Sequence, residues 1–123
     1  MAHESILVVD DQPVSIKLMQ LMLEGEGYQV LVAANATEAL QAVQASKPDL
    51  ILMDIHLPSL DGLALTKLLR SDMESRNIKI VAISAYASTE DDKRITAAGS
   101  DGFIAKPIDT RTLAASIREY LDK

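Results

Sequence analysis

The sequence predicts an α/β protein, a doubly wound sheet of five parallel strands with helices on both faces. Two observations carry that prediction. Short apolar runs alternate with longer amphipathic stretches five times along the chain, which is the signature of a parallel sheet built from βα units. Three of those runs, 6–9, 50–53 and 80–83, are apolar at every residue, as strands covered on both faces must be.

The elements follow in order. "SILVV" (5–9) is the first strand, and a helix over 13–25 opens on Pro13 and is closed by Gly27. "YQVLVA" (28–33) is the second strand, and Asn35 with Glu38 forms a capping-box pattern for a helix over 36–46. That placement makes Asn35-Ala36-Thr37 a helix start rather than a glycosylation acceptor. "DLILM" (49–53) precedes a helix over 61–71, and "IKIVAIS" (78–84) precedes one over 89–98 that Gly99 ends. "GFIA" (102–105) and a helix over 110–121 complete the series. Polar Gln29 in the second strand and the shortness of the fifth mark both as edges. Right-handed crossovers around three central strands then give the order 2-1-3-4-5, the flavodoxin-like arrangement. Its topological switch point lies between strands 1 and 3, and ligands bind there, outside the carboxyl ends of the strands.

With 123 residues, the chain is the size of one domain (1–123), and such a domain buries roughly two-thirds of the surface its unfolded chain exposes. There is no cysteine, so no disulfide framework or thiolate metal site exists. Apolar runs such as "VLVAA" are too short to span a bilayer, and "MAHES" carries no signal pattern. The expectation is a soluble, cytoplasmic protein without membrane insertion. Twelve basic against eighteen acidic residues give a net charge of −6 without a basic cluster, which argues against direct nucleic-acid binding. With no internal repeat or linker, a stand-alone domain is expected.

The strand ends carry the chemistry. Asp10 and Asp11 follow strand 1, Asp54 ends strand 3, Ser84 ends strand 4 and Lys106 ends strand 5. Taken singly, each has an ordinary explanation; Asp11, for example, suits the cap of the helix that begins at Pro13. Together they converge on one edge, where two unit charges 4 Å apart repel by about 4 kcal/mol at an effective dielectric near 20. Something positive must sit among them. Mg²⁺ takes oxygen ligands and commonly uses one or two carboxylates plus phosphate oxygens. Lys106 adds a point charge suited to phosphate and Ser84 a hydroxyl donor. Asp can form an acyl phosphate, and Asp54, standing alone on the central strand, is the candidate nucleophile.

These residues resemble the receiver domain of two-component response regulators. The likeness rests on "VVDDQ" (8–12), "DLILMDIHLPSLDG" (49–62), "AISAYA" (82–87) and "AAGSDGFIAKP" (97–107), in family order and spacing. The resemblance implies that Asp54 accepts phosphate from a phosphohistidine on a histidine kinase or histidine phosphotransfer protein. Asp11 and Asp54 would ligate Mg²⁺ directly, Asp10 partly through water, and the His56 main-chain carbonyl would be a further ligand. Ser84 and Lys106 would contact phosphoryl oxygens, each after rearrangement of its loop. Phe103 stands at the family's switch aromatic, His56 and Tyr86 at positions that tune dephosphorylation, and Lys106-Pro107 at its cis peptide. The expected product is a phosphorylation switch, not an enzyme, in two-component or phosphorelay signalling. Its output face would comprise helix 4, strand 5 and helix 5, acting on a protein effector or through onward phosphotransfer, as a monomer or a phosphorylation-dependent dimer. Helix 4, "STEDDKRITAA" (88–98), carries little large apolar bulk beyond Ile95 and is expected to shift.

Helix 1 is apolar at seven of ten consecutive positions, Val14 to Leu23, more than packing on a sheet requires. The resemblance suggests that Leu18, Met19, Met22 and Leu23 pack inward, leaving Val14, Ile16 and Leu21 as a docking surface for the phosphodonor's helices. Other readings compete with this one, among them a receiver-shaped interaction protein that is never phosphorylated, against which the intact site residues argue. A Mg²⁺-dependent phosphatase of the haloacid dehalogenase type needs Asp-x-Asp after strand 1, where this chain has Asp10-Asp11-Gln12. A receiver excised from a hybrid histidine kinase would look similar throughout. His3 is assigned no role.

Overall fold

The computed structural model describes residues 4–55, 62–84, 89–106, 108, 109 and 111–123, with residues 89–92 described by backbone alone. The elements run β1 (Ser5–Val9), α1 (Pro13–Gly25), β2 (Gln29–Ala33), α2 (Ala36–Ser46), β3 (Leu50–Asp54), α3 (Gly62–Ser71), β4 (Lys79–Ser84), α4 (Thr89–Ala98), β5 (Gly102–Ala105) and α5 (Leu113–Leu121). The five strands form one parallel sheet in the order β2-β1-β3-β4-β5. The expected topology, with β2 and β5 at the edges, is the one observed.

Successive side chains of a strand leave opposite faces of the sheet, so the all-apolar strands feed two core layers. Ile6, Val8, Leu50, Leu52, Val81 and Ile83 meet Met19 and Leu23 of α1 and Leu113 and Ile117 of α5. Leu7, Val9, Ile51, Met53 and Ile80 meet Ala39 and Val43 of α2 and Leu65 and Leu69 of α3. A smaller cluster joins Ile55, Leu63 and Ala82 to Ile95 and Ala98 of α4, with Phe103 packed against it.

Local chemistry sets the helix ends. Asn35 Oδ1 accepts the Glu38 N–H at 2.9 Å, and Glu38 Oε1 accepts the Ala34 N–H at 2.9 Å. The glutamate therefore reaches one residue further back than the usual capping box. Gly27 (φ 93°) and Gly99 (φ 103°) take the left-handed turns that end α1 and α4.

Three expectations are corrected. Helix α5 begins at Leu113 rather than 110. Asp109 Oδ1 accepts the Arg111 N–H at 2.9 Å, and its carbonyl accepts from Thr112 and Leu113, so an Asx turn precedes the helix. Asp11 does not cap α1: the cap position is Gln12, whose N–H is held by Asp10 Oδ1 at 2.9 Å. Finally, Leu18 is 43% exposed rather than inward. Met19 and Leu23 set the inward direction of α1, and at about 100° per residue Leu18 falls with Val14 and Leu21 on the outer side, while Ile16 lies roughly opposite Val14. The exposed stripe is Val14 (81%), Leu18 and Leu21 (58%), and half-buried Ile16 is not part of it. Among the described residues, no helix is long and apolar enough to cross a membrane.

Candidate functional site

The predicted side chains meet at the carboxyl edge of the sheet, at the switch point between β1 and β3. Asp10 extends β1 by one ladder bond, its N–H to the Ala33 carbonyl at 3.0 Å. The Lys106 N–H likewise carries β5 one residue further, donating to the Ser84 carbonyl at 2.8 Å. Those bonds carry Asp10 and Lys106 to the ends of β1 and β5, on either side of Asp54 at the end of β3. Asp10, Asp54 and Ser84 are buried, whereas Asp11 is exposed.

Each of Asp10, Asp11 and Asp54 offers an oxygen within 4.8 Å of the others. Lys106 Nζ donates to Asp54 Oδ2 at 3.0 Å. Lys106 thus already sits on the Asp54 carboxylate; the rearrangement expected of its loop concerns phosphoryl oxygens in the phosphorylated protein. At that spacing each carboxylate pair repels by at least about 3.5 kcal/mol at an effective dielectric near 20. One ammonium against three carboxylates leaves an excess of two negative charges when all are ionised. Asp10 registers the conflict, its carboxyl pushed above the ordinary 3.8 chiefly by burial. The Gln12 N–H and Lys106 pull it down, while Asp54 and Asp11 push it up.

The donor set fits a hard divalent cation. Asp10 Oδ1 is engaged by Gln12, but Asp10 Oδ2 is buried with no hydrogen-bond partner among the described residues. A buried carboxylate oxygen without a donor is costly, and a cation with oxygen preference satisfies it. The Asp10–Gln12 contact was missed by sequence reasoning, although an Asp two residues before the bonded N–H is the pattern of an Asx turn.

Gly62 explains how α3 closes beside the site. A Cβ there would lie 2.5 Å from the Asp54 carbonyl oxygen and 2.7 Å from Ile55 Cα, so only glycine lets the helix start directly behind the acceptor strand. Phe103 is half-buried on β5 beside Ile95 and Ala98 of α4, which links that aromatic to the helix expected to shift. His3, His56, Pro58, Asp61, Tyr86 and Pro107 lie outside the described residues.

The family model for the response regulator receiver domain matches residues 6–118. The chain belongs to that family. Among its relatives, the polar-differentiation response regulator DivK of Brucella anthropi is 38% identical over 118 residues, covering 96% of each chain. A putative response regulator from Chloroflexus aurantiacus superposes with a TM-score of 0.93 at 29% identity, over 99% of this chain and 100% of that one. The receiver domain of a sensor histidine kinase from Pseudomonas aeruginosa PAO1 superposes with a TM-score of 0.89 at 31% identity, over 99% and 100% of the two chains. That structure carries a magnesium ion coordinated in its active-site cleft. This receiver domain thus shares with its relatives the fold that two-component signalling uses as a phosphoacceptor switch. The phosphatase alternative has no support in any of these likenesses.

Proposed function

We propose that this receiver accepts a phosphoryl group on Asp54 from a phosphohistidine of a histidine kinase or histidine phosphotransfer protein. The observation that carries this reading is a buried carboxylate, Asp54, set between two further carboxylates and already bonded by Lys106. In the step, an Asp54 oxygen bonds to phosphorus as the phosphorus–nitrogen bond to the donor imidazole breaks. The leaving nitrogen keeps the electron pair, and the product is an acyl phosphate.

Asp10, Asp11 and Asp54, with the His56 carbonyl, are the proposed Mg²⁺ ligands; the ion supplies positive charge against the oxygens of the transferring group. Lys106 neutralises charge at Asp54 before transfer and holds a phosphoryl oxygen after it. Ser84, at the end of β4, supplies the hydroxyl donor to a second. Phosphorylation adds about 1.5 to 2 negative charges and three acceptor oxygens, so the loops after β4 and β5 must readjust. Phe103 then follows α4, and the α4–β5–α5 face becomes the output surface for a protein effector or onward transfer. His56 and Tyr86 are proposed to tune phosphoryl lifetime, and Pro107 to aim Lys106 inward. The Val14–Leu18–Leu21 stripe is the proposed docking surface for the donor's helices. The proposed place of this switch is the cytoplasm.

The test is incubation with acetyl phosphate and Mg²⁺, followed by intact mass measurement. The wild type gains one phosphoryl group and Asp54→Ala gains none. An adduct that persists in Asp54→Ala, or its absence from the wild type under conditions that label other receivers, refutes the assignment.

A further inference from the structure

The edge of the sheet opposite the carboxylates holds a dense set of polar contacts centred on Arg70. Arg70, in the last turn of α3, donates from Nε to the Gly99 carbonyl at 2.7 Å. Its Nη1 donates to the carbonyls of Arg76 at 2.8 Å and Ile78 at 2.6 Å, and its Nη2 to Asp101 Oδ2 at 2.7 Å. Asp101 Oδ2 also accepts the Ile80 N–H at 2.8 Å. One rigid guanidinium fork therefore ties the end of α3, the start of β4 and the turn after α4 into a single joint.

That joint fixes one end of α4. Gly99 packs so closely that a Cβ on it would lie 2.8 Å from Arg70 Cγ. Beyond it, the Ser100 N–H returns to the Ile95 carbonyl at 3.2 Å, and the Ser100 hydroxyl donates to the Ile80 carbonyl at 3.0 Å. The buried side chains Ile95 and Ala98 lie in the same C-terminal half of the helix. By contrast the first four residues, Thr89, Glu90, Asp91 and Asp92, include no apolar residue. This is the half that follows the Ser84 loop. A helix pinned at its far end and pushed at its near end rotates.

We propose that Arg70 is the pin of a pivot, so that switching swings α4 about Gly99 instead of translating it. The proposal rests on the phosphoacceptor reading of Asp54. Ten residues give a lever of about 15 Å, so a rotation of about 11° moves its free end by about 3 Å while the pinned end stays within about 1 Å.

The absence of cysteine makes site-directed spin labels direct reporters. One label is placed at Gln44 of α2, and the other at Glu90 or at Ala97. Spin–spin distances are measured with and without Mg²⁺ and fluoroberyllate, a phosphoryl mimic. In an otherwise wild-type chain the 44–90 distance changes by about 3 Å and the 44–97 distance by less than about 1 Å. In Arg70→Ala both distances change. If that variant does not fold, Arg70→Lys, which keeps the charge but loses the fork, serves in its place. Equal displacement at both labels in the wild-type background overturns the pivot, as does an unmoved 97 label once Arg70 is replaced. Acetyl phosphate labelling that is absent from the wild type, or that persists in Asp54→Ala, overturns the phosphoacceptor reading and the pivot with it, whereas labelling confined to Asp54 with equal displacement at both labels overturns the pivot alone.

Discussion

Removing the buried negative charge of Asp10 should stabilise the metal-free protein. Asp10→Asn keeps a carbonyl oxygen for the Gln12 N–H, now at 2.9 Å from Asp10 Oδ1, and replaces Oδ2, which has no partner among the described residues, by a neutral amide in the cluster that also holds Asp54 and Asp11. The folded-state pKa of Asp10 lies above its ordinary 3.8. Its protonated form is therefore favoured by folding, and that contribution is complete below 3.8 and lost as pH rises through the raised value. At neutral pH the ionised group is a cost. Repulsion from Asp54 at this spacing is about 3.5 kcal/mol at an effective dielectric near 20, and Lys106 cancels part of it, so relief of about 2 kcal/mol is expected. For a domain of this size that is a rise in Tm of about 8 °C. The assay is thermal unfolding in EDTA from pH 4 to pH 8. The advantage of the variant should be largest near neutrality and shrink as pH falls towards 3.8. Saturating Mg²⁺ should reverse the ranking, because ion at about 100 times its Kd stabilises the wild type by about 2.7 kcal/mol. An Asn variant that melts at or below the wild type in EDTA at neutral pH refutes the account of Asp10 as an uncompensated charge.

Other substitutions probe separate parts of the molecule. Leu21→Glu or Leu18→Glu should slow phosphotransfer from a histidine phosphotransfer protein while leaving acetyl phosphate labelling intact; equal loss in both assays removes the docking role. Gly62→Ala should cost on the order of 2 kcal/mol in urea unfolding, because its Cβ overlaps the Asp54 carbonyl, and should lower acetyl phosphate labelling as the acceptor strand is displaced. Lys47, which ends α2 at φ 45°, holds the left-handed conformation that costs most residues about 1 kcal/mol. Lys47→Gly should recover a similar amount in the same urea assay, and a loss there would show that the lysine side chain compensates for its backbone.

Sheet order was legible because the central strands must be apolar on both faces, and Leu50 to Met53 show this directly. The site was legible for a related reason: in a parallel sheet, whatever follows each strand arrives at one edge. The facing of α1 was not. With seven apolar residues in ten, the sequence supports several helical phases, and the choice is made by Met19 and Leu23 fitting against Ile6, Val8 and Leu52. The start of α5 was misplaced because the Asp109 side chain competes with the helix for backbone N–H groups. The Arg70 joint left no trace in the sequence pattern, since three of its four acceptors are main-chain carbonyls.

The two edges of the sheet are built to opposite rules. At the amino edge, Arg70 and Asp101 satisfy one another and the neighbouring backbone. At the carboxyl edge, among the described residues, carboxylates outnumber the ammonium and Asp10 Oδ2 has no donor. Two continuous apolar layers between them supply the stability that lets the carboxyl edge remain unbalanced. Any change of charge there, from a cation or a phosphoryl group, has its largest effect where the structure is least settled. Because the far edge is pinned and the central strands are buried on both faces, that change has few places to go. The segment between the Ser84 loop and Ile95 is one of them, and Phe103, packed from β5 against the cluster that holds Ile95 and Ala98, is the side chain placed to follow it.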